Sequence, residues 1–514
     1  MTVLNPDRSR SCSKRRKVKL LNRSSSMITN HVQVFMSQAS ISSALRSRLR
    51  YLPIYPWLVF STVATGTFMA NLDGSILNIA LPVLQREFGI GLARLQWVVS
   101  IYLLVVTAIL PAVGALADRF GRRNFYICGL TLFTIGSICC ALSGNLNHLL
   151  AARLLQAFGG SMIMGNGMSI IVSVFPTGRR GQALGIISSV VAIATLTGPA
   201  LGGLLIERSG WPMIFWINVP IGVLGIAMGW LLLPKGKAKA DGRSFDVRGA
   251  VYFSVAMSGL VLFISNGHLW GWLGVYSLTS LAVAVVCGTA FVREELRAQS
   301  PLIDMSLFRR PAFSLGLGAS YLSYVVMGFP ALLLPLYLTT VLQLPLSETG
   351  WIMSAQPIAM MFTAPIGGWM ADRYGYAGPA AFGMGLTFVA LVWMANLGIG
   401  TGHIQLLLIM VLFGSGLGLF MSPNNTSVIE SGPPEKTGFT ASLLATVRNF
   451  GRVGGVTFAV LLFGDAATVK LTSDSMVYHT KITMLVGAVL SLVALALSFG
   501  RLYSTGRKSK APLK

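Results

Sequence analysis

Long apolar stretches recur along this chain, and no other feature limits its possible folds as strongly. Residues 57–81, 95–117 and 182–206 are examples, each close to the roughly 20 residues that cross the hydrocarbon core of a bilayer as a helix. Hydrocarbon offers no partner for backbone N–H and C=O groups, so each stretch must satisfy its own hydrogen bonds by forming a helix. The pattern therefore predicts an all-α integral membrane protein.

The composition agrees with a surface that faces lipid. Charged residues make up 11% of the 514 residues and hydrophobic residues 54%, whereas about 25% of a soluble domain is charged. A soluble fold is therefore excluded. The apolar pattern predicts about fourteen transmembrane helices, at approximately 57–81, 95–117, 124–143, 148–172, 182–206, 212–233, 249–266, 274–292, 313–340, 349–371, 378–399, 405–428, 437–464 and 481–502.

The net charge of +24 follows the predicted topology. Lys and Arg concentrate in both tails and in alternate loops, and cytoplasmic loops are the ones that these residues favour. We therefore expect a multi-pass protein of the cell (plasma) membrane with both termini in the cytoplasm. The positive charge is explained by topology, so no nucleic-acid partner is expected.

The same pattern divides the chain into five parts. They are a basic cytoplasmic tail (1–54), a six-helix bundle (55–233), a linker with an extra helix pair (234–312), a second six-helix bundle (313–502) and a basic C-terminal tail (503–514). The first tail fits a disordered segment near anionic lipid, a targeting segment, or an extension upstream of a true start such as Met27. We expect no transport chemistry in it.

One loop sequence occurs twice. Pro111-Ala-Val-Gly114-Ala-Leu-Ala-Asp118-Arg119-Phe-Gly121 ends the second predicted span, and Pro365-Ile-Gly-Gly368-Trp-Met-Ala-Asp372-Arg373-Tyr-Gly375 ends the tenth. Proline, glycine, aspartate and arginine keep one spacing at an offset of 372 − 118 = 254 residues. The chain is therefore predicted to contain two related six-helix halves with an extra helix pair between them.

The first copy, continued through Arg122 and Arg123, resembles the signature loop of the major facilitator superfamily. The resemblance implies the major facilitator fold, with a transport pathway between two bundles. An acid beside several bases on a tight glycine turn can pair in one state and separate in another; a simple anchor of positive charge is the alternative. The predicted gating residues of the two loops are Gly114, Asp118, Arg119, Gly121, Arg122, Gly368, Asp372 and Arg373.

Asp73 is an acid well inside a predicted span. Its surroundings, Leu72-Asp73-Gly-Ser-Ile-Leu-Asn78-Ile-Ala-Leu81-Pro82, resemble the first-helix motif of fourteen-helix drug:proton antiporters. A carboxylate in hydrocarbon is costly unless it faces a polar cavity or carries a proton, so we predict that Asp73 couples transport to protons. The alternative is a structural acid bonded to Asn71, Ser75 or Asn78.

Arg153 lies inside the fourth predicted span. The run Arg153-Leu-Leu-Gln156-Ala157-Phe-Gly159-Gly160 resembles the buried-arginine motif of the same family, which usually has glycine where Ala157 stands. A buried guanidinium needs an acceptor and favours the ionised form of a nearby carboxylate. We assign Arg153 to proton coupling with Asp73, and a satisfied interior ion pair is the alternative.

The fifth predicted span contains Gly198-Pro199-Ala-Leu-Gly202-Gly203, which resembles the antiporter motif of exporting family members. The proline bends its helix and the glycines allow close helix contact. We therefore add Gly198, Pro199 and Gly202 to the gating residues. Ordinary tight packing is the alternative.

The thirteenth predicted span carries Arg448, Asn449 and Arg452, with the two arginines on one helix face. The predicted substrate cavity consists of Asn78, Gln156, Arg448, Asn449 and Arg452. Charges within the spans then favour the positive sign, which predicts an anionic or zwitterionic substrate. The alternative is that Arg452 reaches the interface or pairs with carbonyl groups.

Together these features predict a secondary active exporter of drugs or amphipathic metabolites that works by alternating access and proton antiport. The expected partners are a small-molecule substrate and the lipid bilayer, and protein partners stay open. No cofactor is expected, and the proton is the coupling ion. The chain contains no nucleotide-binding loop, metal-ligand spacing or catalytic constellation, so we predict no enzyme activity. Alternatives are a proton-coupled importer, a lipid or anion transporter of the same fold, and a sensor that does not transport.

Overall fold

The computed structural model describes residues 52–89, 92–95, 97–234, 246–298, 302–303, 305–433, 436–463 and 473–506. Residues 1–51 of the predicted N-terminal tail and residues 507–514 of the predicted C-terminal tail therefore lie outside the described residues. Contacts divide the chain into two units, Met1–Leu58 and Val59–Lys514. The first unit is described only from residue 52, and everything below concerns the second.

The described residues form fourteen long helices. Their bounds are α1 Tyr55–Phe88, α2 Trp97–Phe120, α3 Arg122–Ala141, α4 Leu146–Val174, α5 Arg180–Ser209, α6 Asn218–Leu232, α7 Val247–Trp270, α8 Val275–Arg297, α9 Pro311–Thr340, α10 Leu346–Tyr374, α11 Ala377–Met394, α12 His403–Ser431, α13 Thr437–Phe463 and α14 Ser473–Gly506. Short helical turns occur at Leu92–Leu95, Thr177–Arg179, Met213–Trp216 and Met305–Arg309. Each helix coincides with one predicted span, which confirms the all-α fold class.

Eleven helices in the described part of the chain are long and apolar enough to cross a membrane on length and composition alone. The helices α1, α10 and α13 are not among them. Two of the three contain charged side chains inside the bundles: α1 contains the buried Asp73, and α13 contains the half-buried Arg448 and Arg452. Their lower hydropathy is expected of helices that turn polar side chains towards one another rather than towards lipid.

The helices pack as two bundles. In the first, α4 contacts α2 and α3, and α6 contacts α3; in the second, α12 contacts α10 and α11, and α14 contacts α9 and α11. Small residues allow the close crossings that membrane helices need. At one crossing, a Cβ atom on Gly136 of α3 would lie only 2.8 Å from the backbone nitrogen of Gln156 in α4.

Two matching seams join the bundles, α2 against α13 and α5 against α10. The extra pair, α7 and α8, lies along the first seam, because α7 contacts both α2 and α13. Ser254 donates to the carbonyl of Ala108 at 3.1 Å, and Thr457 donates to that of Ile264 at 3.1 Å. Only 17% of the most apolar segment of α8 is buried within the protein, so this helix presents most of its surface to lipid.

Candidate functional site

Two glycine turns mark one end of the helices, which we call the motif face. Gly121 connects α2 to α3 with φ +103°, and Gly375 connects α10 to α11 with φ +87°. Both values fall in the left-handed region, where glycine has no Cβ penalty. The glycines stand 375 − 121 = 254 residues apart, so the repeated sequence forms the same turn twice.

Asp118 links the first bundle to the second at the motif face. Its carboxylate accepts hydrogen bonds from the backbone N–H groups of Gly438 at 3.1 Å and Phe439 at 2.9 Å, at the start of α13. Arg122, one turn further along the chain, donates to the same carboxylate at 2.7 Å. A negative charge at a helix N-terminus is stabilised by the helix dipole and by the unpaired N–H groups there.

Asp372 makes the equivalent link from the second bundle to the first. Its two carboxylate oxygens accept from the N–H groups of Gly181 and Gln182, each at 2.9 Å, at the start of α5. The position equivalent to Arg122 is Tyr376, since 376 − 122 = 254. The second copy of the loop therefore has no arginine at this place.

A separate ion pair supplies positive charge on that side. Arg180, at the start of α5, donates to Glu430 of α12 at 3.0 Å, and the hydroxyl group of Tyr376 donates to the same carboxylate at 2.6 Å. The sequence analysis did not select these three residues. The tyrosine at the arginine's repeat position was the available signal, because it left the second copy without the arginine that pairs with the acid in the first copy.

Close to the bonds of Asp118 and Asp372, glycine residues allow the two bundles to touch. A Cβ atom on Gly114 would lie 2.6 Å from Cβ of Ser442, and one on Gly368 would lie 2.5 Å from the carbonyl carbon of Gly181. Ser442 donates to the carbonyl of Gly165 at 3.0 Å. Any larger residue at either glycine therefore requires the two bundles to separate.

Arg119 and Arg373 do not make such contacts. The guanidinium of Arg119 lies 5.7 Å from the ring centroid of Phe120, and that of Arg373 lies 5.6 and 5.7 Å from the rings of Trp369 and Tyr374. Each of these contacts stays within a single bundle, the first for Arg119 and the second for Arg373. Arg119 and Arg373, which were predicted to be gating residues, therefore lie at the motif face but make no described hydrogen bond across the seam.

We call the contacts of Asp118, Asp372, the Arg180–Glu430 pair, Gly114 and Gly368 the motif-face seal. Further hydrogen bonds join the bundles: Ser422 donates to the carbonyl of Gly181 at 2.8 Å, and Ser189 donates to that of Met361 at 2.5 Å. The structure is therefore closed at the motif face.

A cavity lies between the bundles, beyond the seal. Its empty volume is about 710 Å³ when the part open to solvent is included. The described lining residues are Val63, Thr67, Asn71, Ile163, Met164, Gly167, Met168, Ile187, Ser188, Val191, Tyr324, Met360, Met421, Asn425, Arg448, Asn449 and Arg452. Helices of both bundles thus contribute to it, as expected for a site between two halves.

Three of the five residues predicted for the cavity are found there: Arg448, Asn449 and Arg452. The side chain of Asn78 lies outside the described part of the structure. Gln156 does not line the cavity but is fully buried in the first bundle. It follows Arg153 by one helical turn on the same face, so it joins the environment of that arginine instead.

Asp73 forms a buried ion pair with Arg153. One carboxylate oxygen accepts from the Arg153 guanidinium at 2.6 Å, and the other accepts from Gln156 at 2.8 Å and Asn218 at 3.0 Å. Asp73 and Arg153 are each 1% exposed. Three donors, one of them charged, stabilise the ionised carboxylate in this conformation.

The arginine has further partners. Its Nε donates to the carbonyl of Val98 at 3.2 Å, and its guanidinium lies 4.7 Å from the ring centroid of Tyr102. Gln156 also donates to Ser137 at 2.8 Å. The sequence analysis missed Asn218 and Ser137, because they reach this centre from α6 and α3 and no local spacing connects them with Asp73.

Two of the three alternative partners of Asp73 are engaged elsewhere, and the side chain of the third, Asn78, lies outside the described part of the structure. Asn71 donates to the carbonyl of Thr67 at 2.8 Å, and Ser75 donates to the carbonyls of Leu72 at 3.0 Å and Ala194 at 3.2 Å. The bond to Ala194 connects α1 with α5. The residues on either side of Asp73 therefore reach the cavity wall and the neighbouring helix.

The glycine motif of α5 packs against α1 at this point. A Cβ atom on Gly198 would lie 2.8 Å from Cβ of Ser75, and one on Gly202 would lie 2.7 Å from Cγ1 of Ile76. Pro199 is exposed on the other side of α5. The motif thus fixes the distance between α5 and the part of α1 that follows Asp73.

Comparison with known proteins identifies the family. The model of the Major Facilitator Superfamily matches residues 63–456. The riboflavin transporter RibZ of Clostridioides difficile is 35% identical over 413 residues, which cover 80% of this chain and 89% of that protein. The tetracenomycin C resistance and export protein of Streptomyces glaucescens is 33% identical over 424 residues, covering 82% and 76% of the two chains.

Two further similarities agree with this family. The multidrug resistance protein Stp of Mycobacterium tuberculosis is 32% identical over 408 residues, covering 79% of this chain and 75% of Stp. The crystal structure of the human organic anion transporter MFSD10 (TETRAN) superposes with a TM-score of 0.64 and 17% identity, over 87% of this chain and 100% of that chain. The structural match supports the fold alone.

Proposed function

Because the chain belongs to the Major Facilitator Superfamily, we propose that it is a secondary active exporter that exchanges an inward-moving proton for an outward-moving small molecule. The chain is a transporter and not an enzyme. In this proposal the motif face and both termini are cytoplasmic, the membrane is the plasma membrane, and the cargo is a drug or an amphipathic metabolite.

The observation that carries the proposal is the motif-face seal. Asp118 and Asp372 each hold the first turn of a helix that belongs to the opposite bundle. Such bonds break when the bundles rotate apart, while the packing inside each bundle is kept. A closed gate of this kind on one side of a cavity is what alternating access requires of one of its two states.

Asp73 takes the proton in this mechanism. Protonation removes its charge and leaves Arg153 buried without a counter-ion, which costs several kcal/mol unless helices move. The adjacent part of α1 lines the cavity through Asn71 and bonds to α5 through Ser75. A proton on Asp73 therefore acts on the cavity and on α5, the helix whose first turn Asp372 holds.

The available driving force is sufficient for such an exchange. One proton moving inward down 100 mV releases about 2.3 kcal/mol. A tenfold concentration of a neutral substrate costs about 1.4 kcal/mol. A single proton per cycle thus sustains more than tenfold export of such a substrate.

The glycine motif of α5 supports export as the direction of transport. Its Gly198 and Gly202 hold α5 against α1. Two of the similar proteins are named for resistance, one of them also for export, while the name of RibZ gives no direction. A proton-coupled importer of the same fold is the second candidate, and the following experiment separates the two.

The experiment uses the full chain in proteoliposomes with an imposed pH gradient. Rhodamine 6G and fluorescein, a cationic and an anionic dye with the same ring system, are followed together with lumenal pH. We expect dye to move against the proton flux in the wild type. Asp73→Asn should lose uphill accumulation but keep the exchange of labelled for unlabelled dye, while Asp474→Asn, the same change at an exposed residue, should behave as wild type.

Each other outcome has a definite meaning. Dye moving in the same direction as protons would replace export by the importer candidate. Uphill accumulation in Asp73→Asn equal to that of the wild type would remove Asp73 from the coupling mechanism.

A further inference from the structure

The central cavity carries positive charge without a counter-ion. None of its described lining residues is acidic, and two of them are arginines. Arg448 and Arg452 lie one turn apart on α13, with their guanidinium carbons 5.8 and 5.7 Å from the ring centroid of Tyr324. Like charges at this spacing repel each other. The arrangement favours a negative charge placed between them.

The hydrogen-bond donors at the same place lack acceptors. The Nε atoms of Arg448 and Arg452 and the amide nitrogen of Asn449 are buried and have no partner. A second nitrogen of Arg448 donates to the sulfur of Met168 at 3.9 Å, and a thioether is a weak acceptor. Buried donors are normally satisfied, so three orphaned ones within about one turn of one helix indicate a missing acceptor.

The rest of the cavity wall suits an apolar body. Four methionines line it, Met164, Met168, Met360 and Met421, and their flexible thioethers adapt to ligands of different shape. The ring of Tyr324 adds a flat surface next to the two guanidinium groups.

From these contacts we infer that the cargo is an amphipathic organic anion. Its carboxylate, sulfonate or phosphate group bridges Arg448 and Arg452 and accepts from Asn449, while its planar or apolar body packs on the methionines. Guanidinium forks bind such oxyanions through paired, charge-assisted hydrogen bonds. The inference rests on the proposed function, because it treats this cavity as the transport site, and it narrows the cargo to one chemical class.

The cavity differs in this respect from the Asp73–Arg153 pair. There the acid and the base neutralise each other and two amides complete the bonding. In the cavity no described lining residue is an acid, and the Nε atoms of both arginines have no acceptor. Only the arginines of the cavity therefore need an anionic ligand to complete their bonding.

The test is equilibrium binding to the full chain in phosphatidylcholine nanodiscs, with fluorescein and rhodamine 6G as probes read by fluorescence anisotropy. We expect fluorescein to bind more tightly than rhodamine 6G. Arg448→Gln and Arg452→Gln should each weaken fluorescein binding about tenfold or more, with rhodamine 6G binding kept as evidence of folding. Arg452→Lys should fall between, since it keeps the charge and loses the fork.

Arg293→Gln is the matched control, because Arg293 is exposed on α8 and the substitution removes the same charge. Equal binding of the two dyes, absence of fluorescein binding, or fluorescein binding unchanged in both cavity variants would overturn the inference. Displacement of fluorescein by added phosphatidylglycerol would identify a lipid headgroup as the occupant and overturn the assignment to a soluble anion. None of these readouts needs a proton gradient, so a failure of proton coupling leaves the result intact.

Discussion

Asp118 and Asp372 stand 254 residues apart and make the same pair of bonds in opposite directions across the two bundles. Each carboxylate lies at the end of one helix and accepts two backbone N–H groups at the start of another, Asp118 from α13 and Asp372 from α5. The motif-face seal therefore has two equivalent points of contact, and the pair of bonds at each point has to break for this face to open. The remaining contacts of the seal lie around these two points.

Neutralising either carboxylate should favour the state that is open at the motif face. In Asp118→Asn and Asp372→Asn, an amide replaces a charge whose interaction with a helix N-terminus is worth about 0.3–2 kcal/mol. We expect each variant to raise the open population several-fold. The two contacts share no residue, so the free-energy changes should add in the double variant. Electron–electron distances between spin labels at Phe120→Cys and Tyr374→Cys in a cysteine-free background measure this population.

The control for this charge change is Asp474→Asn, at an exposed residue outside the seal. A distance distribution in the double variant that matches the wild type would mean that the carboxylates are not what holds the motif face closed.

A methyl group at Gly368 should open the same face by steric force. Its Cβ would lie 2.5 Å from the carbonyl carbon of Gly181, which belongs to the first bundle, so the methyl group requires the bundles to separate. We expect Gly368→Ala to lengthen the same label distance. Gly378→Ala is the matched control, because a Cβ atom there meets nothing within 4 Å. Equal distances in the two variants would show that the seam absorbs the methyl group without opening.

The parts of this architecture that the sequence predicted follow from local rules. Eleven of the fourteen helices have the length and hydropathy of a membrane helix, and a helix is the one solution for such a backbone in hydrocarbon. The repeated loop with Asp118 and Asp372 was recognisable because glycine, acid and turn occur at fixed spacing. The predicted interior acid and arginine, Asp73 and Arg153, meet because isolated buried charges are too costly.

The parts that the sequence did not predict depend on which helices touch. Asn218 completes the bonding of Asp73 from five helices further along the chain, and Glu430 receives Arg180 from another bundle. Neither pairing has a periodicity that a sequence pattern can express. Gln156 was assigned to the cavity, although its place one turn after Arg153 already put it on the face of the ion pair.

The Arg180–Glu430 pair should contribute less to the seal than the two aspartates. Its side chains are 26% and 17% exposed, and ion pairs that water reaches are worth at most about 1 kcal/mol. We expect Glu430→Gln to raise the open population less than Asp118→Asn does, in the same label-distance measurement. Tyr376→Phe removes one hydrogen bond to Glu430 and keeps the ion pair, so its effect should be smaller still. A larger effect of Glu430→Gln than of Asp118→Asn would reverse this order of importance.

The buried pair of Asp73 and Arg153 gives a prediction that separates stability from coupling. Asp73→Asn leaves Arg153 buried without a counter-ion, and loss of one partner of such a pair costs about 3–5 kcal/mol. We expect a clear fall in the thermal unfolding temperature of the purified protein. Asp73→Asn combined with Arg153→Met should recover most of it, because an apolar side chain of similar length replaces the unpaired charge.

The double variant should recover stability and still lack uphill transport in proteoliposomes, since it contains no group at this place that exchanges a proton. Recovery of both would mean that the ion pair is structural and that coupling resides elsewhere. A double variant no more stable than Asp73→Asn would instead mean that Arg153 contributes chiefly through its bond to Val98 and its contact with the ring of Tyr102. The comparison thus assigns the energy of this centre to its charge pair or to the packing around it.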